Sequence, residues 1–198
     1  MESKSTVAAA ANAGGPLAGL GEYLKSNQQR SIFDKIVQEE ESWCLFYFGG
    51  RQLVGKIKKN DKYEVDFINE NNDLERIHKV KVNFLCPLSA KDEVLKQIKQ
   101  DKALAQKPEG PHFSPRFRHH IKNKSLYPLM NRKEVLFFTM IGGEVLRGII
   151  TGFSRYEIDL NMKKGTPVVL MRHSIADIRD KKGRSYLKKV VEKTKKYW

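Results

Sequence analysis

The chain has 198 residues, and its content of 40% hydrophobic and 30% charged residues is typical of a soluble globular protein. No apolar run approaches the ~18 residues that a membrane-spanning helix needs, so the sequence argues against such a helix. The 37 Lys and Arg residues outnumber the 23 Asp and Glu residues. The resulting net charge of +14 points to a polyanionic partner, or to a basic surface kept for solubility.

The N-terminal residues 1–28 predict a flexible tail, because residues 1–21 are rich in Ala and Gly. They contain neither a basic leader nor an apolar core of a signal peptide, so we expect a cytoplasmic protein. Cys44 and Cys86 lack C-x-x-C spacing. Buried, reduced thiols are therefore expected, and neither a disulfide framework nor a metal site.

Residues 29–88 predict a first module that is mainly β. A short amphipathic helix follows Ser31, which is a plausible N-cap. Strand-like runs then alternate with turn residues, an arrangement typical of an antiparallel meander. Gly55 lies in the middle of a run, where glycine usually marks a sharp bend or a close backbone approach.

Residues 89–124 predict a helical and basic linker. Positions 89–106 have the pattern of one charged helix, and the prolines that follow end it. Positions 116–124 interleave cations with rings, which suits contact with phosphates and stacking on bases. The same composition also suits a solvated linker, and both readings remain open.

Residues 125–180 predict a second module that repeats the first. Residues 43–86 recur at residues 136–179 without a gap, displaced by 93 positions. The matched positions include Tyr63 with Tyr156 and Gly55 with Gly148. Residues 181–198 have apolar residues at helical spacing among lysines, which predicts a basic amphipathic helical tail. Such a tail could bind RNA, lie on an anionic membrane or dock on its own domain.

Charge is distributed unevenly between the two halves. Residues 1–110 hold 17 Lys and Arg against 16 Asp and Glu, whereas residues 111–198 hold 20 against 7. Because cations placed on phosphates release condensed counterions, the second half is the better candidate for binding a polyanion.

A helix followed by a bent five-stranded meander with G-x-x-L-x-G-x-I after strand one resembles the Sm-like family. The second module is similar to the Hfq branch of bacterial RNA chaperones in residues 143–156 and 168–178. The fold class implied is mainly β with short helices, in two Sm-like modules. Each module would have an N-terminal helix and a strongly bent five-stranded antiparallel sheet.

The resemblance implies a set of RNA-binding residues. Tyr156 would stack on a uridine, Arg172 and His173 would make polar contacts, and Tyr63 with Lys79 would form a partial site in the first module. The predicted set is completed by Arg155, Arg116 and Arg118. Both tyrosines could instead be core or edge residues, and His173 could be a structural imidazole. The resemblance does not imply that this chain binds purine-rich RNA, because the residues that form the purine-binding face in the family are replaced by different ones here.

We therefore expect an RNA-binding protein that takes single-stranded, uridine-rich RNA, small regulatory RNA or mRNA, and acts in post-transcriptional regulation. The alternative is an Sm-like ring that serves as a protein-interaction scaffold. The five histidines match no catalytic or metal motif, so no enzyme activity, metal or cofactor is expected. A homo-oligomer is expected, either as a trimer that forms a pseudo-six-fold ring or as a stacked assembly. Contact with a membrane is not expected.

Overall fold

The computed structural model describes residues 15–108 and 110–187, and this part of the chain is mainly β with short helices. Its strands form one antiparallel sheet of eleven strands. None of the helices in the described ranges is long and apolar enough to cross a membrane.

The helices of the described part are short. The α-helices are α1 (Leu20–Asn27), α2 (Ile32–Glu39), α3 (Lys91–Gln97), α4 (Lys102–Gln106) and α5 (Asn123–Asn131). Single 3-10 turns lie at Lys79–Lys81, Leu88–Ala90, Pro115–Phe117, Lys163–Gly165 and Arg172–Ser174.

The strands fall into two groups of five, separated by one short strand. The first repeat has β1 (Trp43–Tyr47), β2 (Gln52–Asn60), β3 (Glu64–Asn69), β4 (Leu74–His78) and β5 (Val82–Pro87). The linker adds β6 (Lys99–Gln100). The second repeat has β7 (Val135–Met140), β8 (Glu144–Phe153), β9 (Glu157–Asn161), β10 (Pro167–Met171) and β11 (Ile175–Arg179).

The two repeats share their strand registers as well as their sequence. Leu45 pairs with Leu53 in the first repeat, and Phe138 pairs with Leu146 at the matching positions of the second. The second strand of each repeat also has an irregularity at the same place, before Lys59 in β2 and before Gly152 in β8. Because a bulge bends and twists its strand, β2 and β8 bend at equivalent points of the two repeats.

The two repeats are joined side by side within one chain. Strand β10 pairs with β5, with Val169 opposite Leu85 and Leu170 opposite Phe84. The strand order is therefore β11-β7-β8-β9-β10-β5-β1-β2-β3-β4. The sheet is not closed, since β11 and β4 lie at its two ends.

Apolar packing is shared across this junction. The cluster that holds Phe33, Ile36 and Phe67 of the first repeat also includes Val169 and Met171 of the second. A larger cluster joins the two repeats on the other face of the sheet. There the rings of Phe46 and Phe84 stack with centroids 4.3 Å apart.

Three sequence expectations differ from the structure. Residues 20–27 were expected within a flexible tail but form α1, whose Tyr23 packs against the ring of Phe153. Residues 89–106 do not form one helix, because β6 pairs with β8 and separates α3 from α4. Residues 181–187 contain no helix, and the rest of the predicted amphipathic tail lies outside the described residues.

Candidate nucleic-acid interface

The turns that precede β3 and β9 each present an exposed tyrosine beside a cation. Tyr63 is 61% exposed and Tyr156 is 55% exposed, which excludes a core position for either. The Lys62 ammonium lies 5.0 Å from the centroid of the Tyr63 ring, and the Arg155 guanidinium lies 5.4 Å from that of Tyr156. The two cation–ring pairs occupy equivalent positions of the repeat, and each presents an exposed ring next to a positive charge.

Backbone bonds fix both tyrosine turns in the same way. The Lys79 N–H donates to the Tyr63 carbonyl, and the Arg172 N–H donates to the Tyr156 carbonyl, each at 2.9 Å. The Lys79 side chain also donates to the carbonyl of Asp61. At the equivalent place, the Arg172 guanidinium donates to the carbonyl of Ser154 at 2.8 Å.

Arg172 makes further contacts with the end of the linker. Its guanidinium donates to the Ile121 carbonyl at 2.6 Å and to Asn123 Oδ1 at 3.0 Å. Burial lowers the pKa of Arg172 to about 10, so the group stays charged at neutral pH. Arg172, which the sequence predicts to contact RNA, therefore holds the end of the linker against the tyrosine turn. An RNA phosphate or base would have to share the guanidinium with these protein oxygen atoms or displace them.

His173 is likewise engaged by the protein. Its Nε2 lies 3.1 Å from the Val82 carbonyl of β5, so the imidazole bridges the two repeats. Burial, together with the charge of Arg118, lowers the pKa of His173 to about 4. The imidazole is therefore neutral at physiological pH, and its contact with RNA remains a prediction.

The linker crosses between the repeats on this face. Arg118 donates to the carbonyls of His112 at 2.8 Å and Phe113 at 3.0 Å, and lies near Tyr156. The ring of Phe113 meets His78 of the first repeat edge-on, with centroids 5.2 Å apart. Partial burial lowers the pKa of Arg118.

Two linker rings remain open to solvent. Phe113 is 57% exposed and Phe117 is 53% exposed. The Arg116 guanidinium lies 4.7 Å from the centroid of the Phe117 ring, a third cation–ring pair. Phe117 lies within the stretch 116–124, whose alternation of cations and rings is visible in the sequence, whereas Phe113 lies outside it.

Helix α1 positions the second tyrosine turn. The Tyr23 hydroxyl donates to the Phe153 carbonyl at 3.0 Å and accepts the Phe153 N–H at 2.7 Å. The Arg155 N–H donates to the Gln28 carbonyl at 3.1 Å. The sequence pattern does not indicate this role, because residues 1–28 predict a flexible tail.

Comparisons with known proteins give little beyond this geometry. No family model and no curated protein matches the chain. A crystal structure of the pleiotropic translational regulator Hfq aligns with 25% of this chain and 82% of its own, at 22% sequence identity and a TM-score of 0.24. At that TM-score the likeness carries no weight for function.

Proposed function

We propose that this protein binds single-stranded RNA non-covalently, with a preference for uridine-rich tracts, and acts in post-transcriptional regulation in the cytoplasm. Its two repeats are proposed to be Sm-like modules set side by side. The uridine preference and the regulatory role rest on the sequence resemblance alone. No covalent chemistry is proposed.

One observation carries the proposal, namely the two exposed cation–tyrosine pairs at equivalent turns. A base stacked on an exposed ring contributes ~1–3 kcal/mol to binding, and this stacking is largely independent of sequence. Lys62 and Arg155 stand beside these rings, where they would attract the neighbouring phosphates. A surface that combines ring faces with cations suits a single strand better than a duplex, whose bases are already stacked.

The linker extends the same surface. Phe113 and Phe117 add two exposed rings, and Arg116 adds a cation beside one of them. The linker also spans the two repeats, from the contact at His78 to the Arg172 guanidinium. A strand that ran along it would therefore meet aromatic and basic groups from both halves of the chain.

A scaffold for protein partners is the second candidate. The observation that favours it is the engagement of Arg172 and His173 by backbone carbonyls of their own chain. If those two residues serve only the fold, the strongest RNA-binding feature of the sequence is absent. The exposed rings could then meet a protein surface in place of bases.

The test is the affinity for a fluorescently labelled oligouridine, measured by anisotropy over a series of salt concentrations. The double variant Tyr63→Ala with Tyr156→Ala should bind at least ~10-fold more weakly, because two stacking platforms are lost. The matched control, Tyr63→Phe with Tyr156→Phe, keeps both rings and should bind like the parent. A parent that fails to bind any single-stranded RNA at low salt would favour the scaffold, and an alanine variant that binds normally would remove the tyrosines from the site.

A further inference from the structure

The outer edge of β11 is covered by the segment that follows it. The Asp180 N–H donates to the Arg184 carbonyl at 3.1 Å, and the Tyr186 N–H donates to the Ile178 carbonyl at 2.9 Å. Arg179 and Ser185 form an antiparallel bridge between these two bonds. Residues 180–186 thus fold back as a tight hairpin, named here the C-terminal hairpin, along the end of the sheet.

Side chains hold this hairpin in place. The Asp180 carboxylate accepts the backbone N–H groups of Lys182 and Arg184, both at 2.9 Å. The Ser185 hydroxyl donates to Asp177 of β11 at 2.6 Å. Gly183 has a φ of 78°, a conformation that favours glycine. The conformation of this turn is therefore fixed by specific side-chain hydrogen bonds and by a glycine.

The junction between the repeats shows what this edge could otherwise bind. Leu85 of β5 pairs with Val169 of β10, and the displacement of 93 residues places Ile178 at the position of Leu85. The C-terminal hairpin therefore covers the part of the β11 edge that is equivalent to the part of the β5 edge paired with β10. The position that matches Val169 is Arg76 of β4.

The β4 edge is the complement of this covered site. In the described residues it lies at the end of the sheet, and no strand pairs with its outer side. The Lys79 N–H points inward to Tyr63, and backbone groups alternate between the two edges of a strand. The N–H of Arg76 therefore faces away from the sheet. This is the direction it needs in order to pair with another strand as Val169 does.

We propose that the C-terminal hairpin competes with the β4 strand of a second copy of this chain for the β11 edge, and so restrains the chain from self-assembly. The copy would pair Arg76 with Ile178 in the register that joins Val169 to Leu85. A tethered segment acts at a millimolar effective concentration, so the hairpin prevails over a second copy at micromolar protein. This inference does not depend on the proposed RNA binding.

Native mass spectrometry of the full chain at low micromolar concentration tests the proposal. The variant Asp180→Ala with Tyr186→Pro removes the turn bonds and the N–H that binds Ile178, and it should assemble at a concentration at least ~10-fold lower than the parent. The matched control, Tyr186→Phe, keeps the N–H and should stay like the parent. Adding Arg76→Pro to the first variant should abolish the gain, because proline has no N–H to donate at the β4 edge.

The same assembly state for the parent and the hairpin variant, whether monomeric or oligomeric, would overturn the proposal. Assembly of the hairpin variant that Arg76→Pro leaves unchanged would overturn it as well, because another surface would then be responsible. Circular dichroism of each variant establishes that it is folded. If the double variant does not fold, Tyr186→Pro alone against Tyr186→Phe decides the same question.

Discussion

The carboxylate of Glu157 in β9 accepts the backbone N–H of Ile32, with donor–acceptor distances of 3.0 and 2.9 Å to its two oxygens. Ile32 is the first residue of α2, so an acidic side chain of the second repeat satisfies the N-terminus of a helix in the first. Ser31, the expected N-cap, makes no capping bond through its side chain. The capping group thus comes from a residue 125 positions away in the chain.

Glu157 makes the stability of the fold depend on pH. Burial raises the pKa of this carboxyl from 4.5 to about 7, against the lowering effect of the Ile32 N–H. The folded chain therefore holds this proton more tightly than the unfolded chain. The stabilisation is fully present below pH 4.5 and is lost as the pH rises through about 7.

The substitution Glu157→Gln should remove this dependence, since the amide keeps an oxygen for Ile32 but has no charge. Relative to the parent, it should raise the free energy of unfolding by roughly 1–3 kcal/mol at alkaline pH and by little at acid pH. Urea unfolding at several pH values measures this difference. The matched control is Glu64→Gln, at the partly exposed equivalent position, and equal pH profiles for parent and Glu157→Gln would contradict the prediction.

Arg172 should prove more important to stability than to RNA affinity. Arg172→Ala leaves the Ser154 and Ile121 carbonyls without their charged donor, which we expect to cost roughly 2–4 kcal/mol in the free energy of unfolding. Arg172→Lys should cost less, because Lys79 holds the equivalent carbonyl of the first repeat. If Arg172→Ala instead unfolds at the parental urea concentration and loses RNA affinity, its guanidinium reads RNA directly.

Substitution of Gly55 or Gly148 by a larger residue should destabilise the fold, because another strand passes close to each glycine. A Cβ at Gly55 would lie 2.0 Å from the Ile68 carbonyl oxygen, and one at Gly148 would lie 2.5 Å from that of Asn161. Alanine at either position should lower the free energy of unfolding by roughly 1–3 kcal/mol or more. Gly110→Ala, which meets no atom within 4 Å, is the control, and near-neutral effects at all three sites in thermal unfolding would refute the argument.

The two thiols should be unreactive in the folded protein. Cys44 and Cys86 face each other across β1 and β5, and both are fully buried. Burial raises the pKa of Cys44 to about 11 and that of Cys86 to about 12, so almost no thiolate exists near neutral pH. Alkylation by iodoacetamide should therefore proceed only as fast as this part of the sheet opens, and rapid labelling of the native protein would show that β1 and β5 separate readily.

The repeat and its strands could be predicted because the patterns that indicate them lie within short stretches of the sequence. Identity at a fixed displacement indicates one supersecondary unit used twice, and alternating apolar residues indicate its strands. Tyr63 and Tyr156 could be chosen for the same reason, since both stand at the turn that opens a strand. The sequence could not decide whether their rings were buried, because that depends on what packs over the turn.

The partners of Arg172 could not be predicted. They lie 18 to 51 residues away, and the path of the linker that brings Ile121 to the guanidinium is set by tertiary packing. The break between α3 and α4 has a similar cause. Lys99 and Gln100 have no strong strand preference of their own, and they become a strand because β8 offers them an edge.

The junction of β5 with β10 has a consequence for how the two halves can change. In an assembly of identical subunits, every substitution alters all copies of a site at once. Here the two copies are encoded separately, so one site can vary while the other is kept. The chain already shows such divergence, with Val80 buried where the second repeat has the bridging His173.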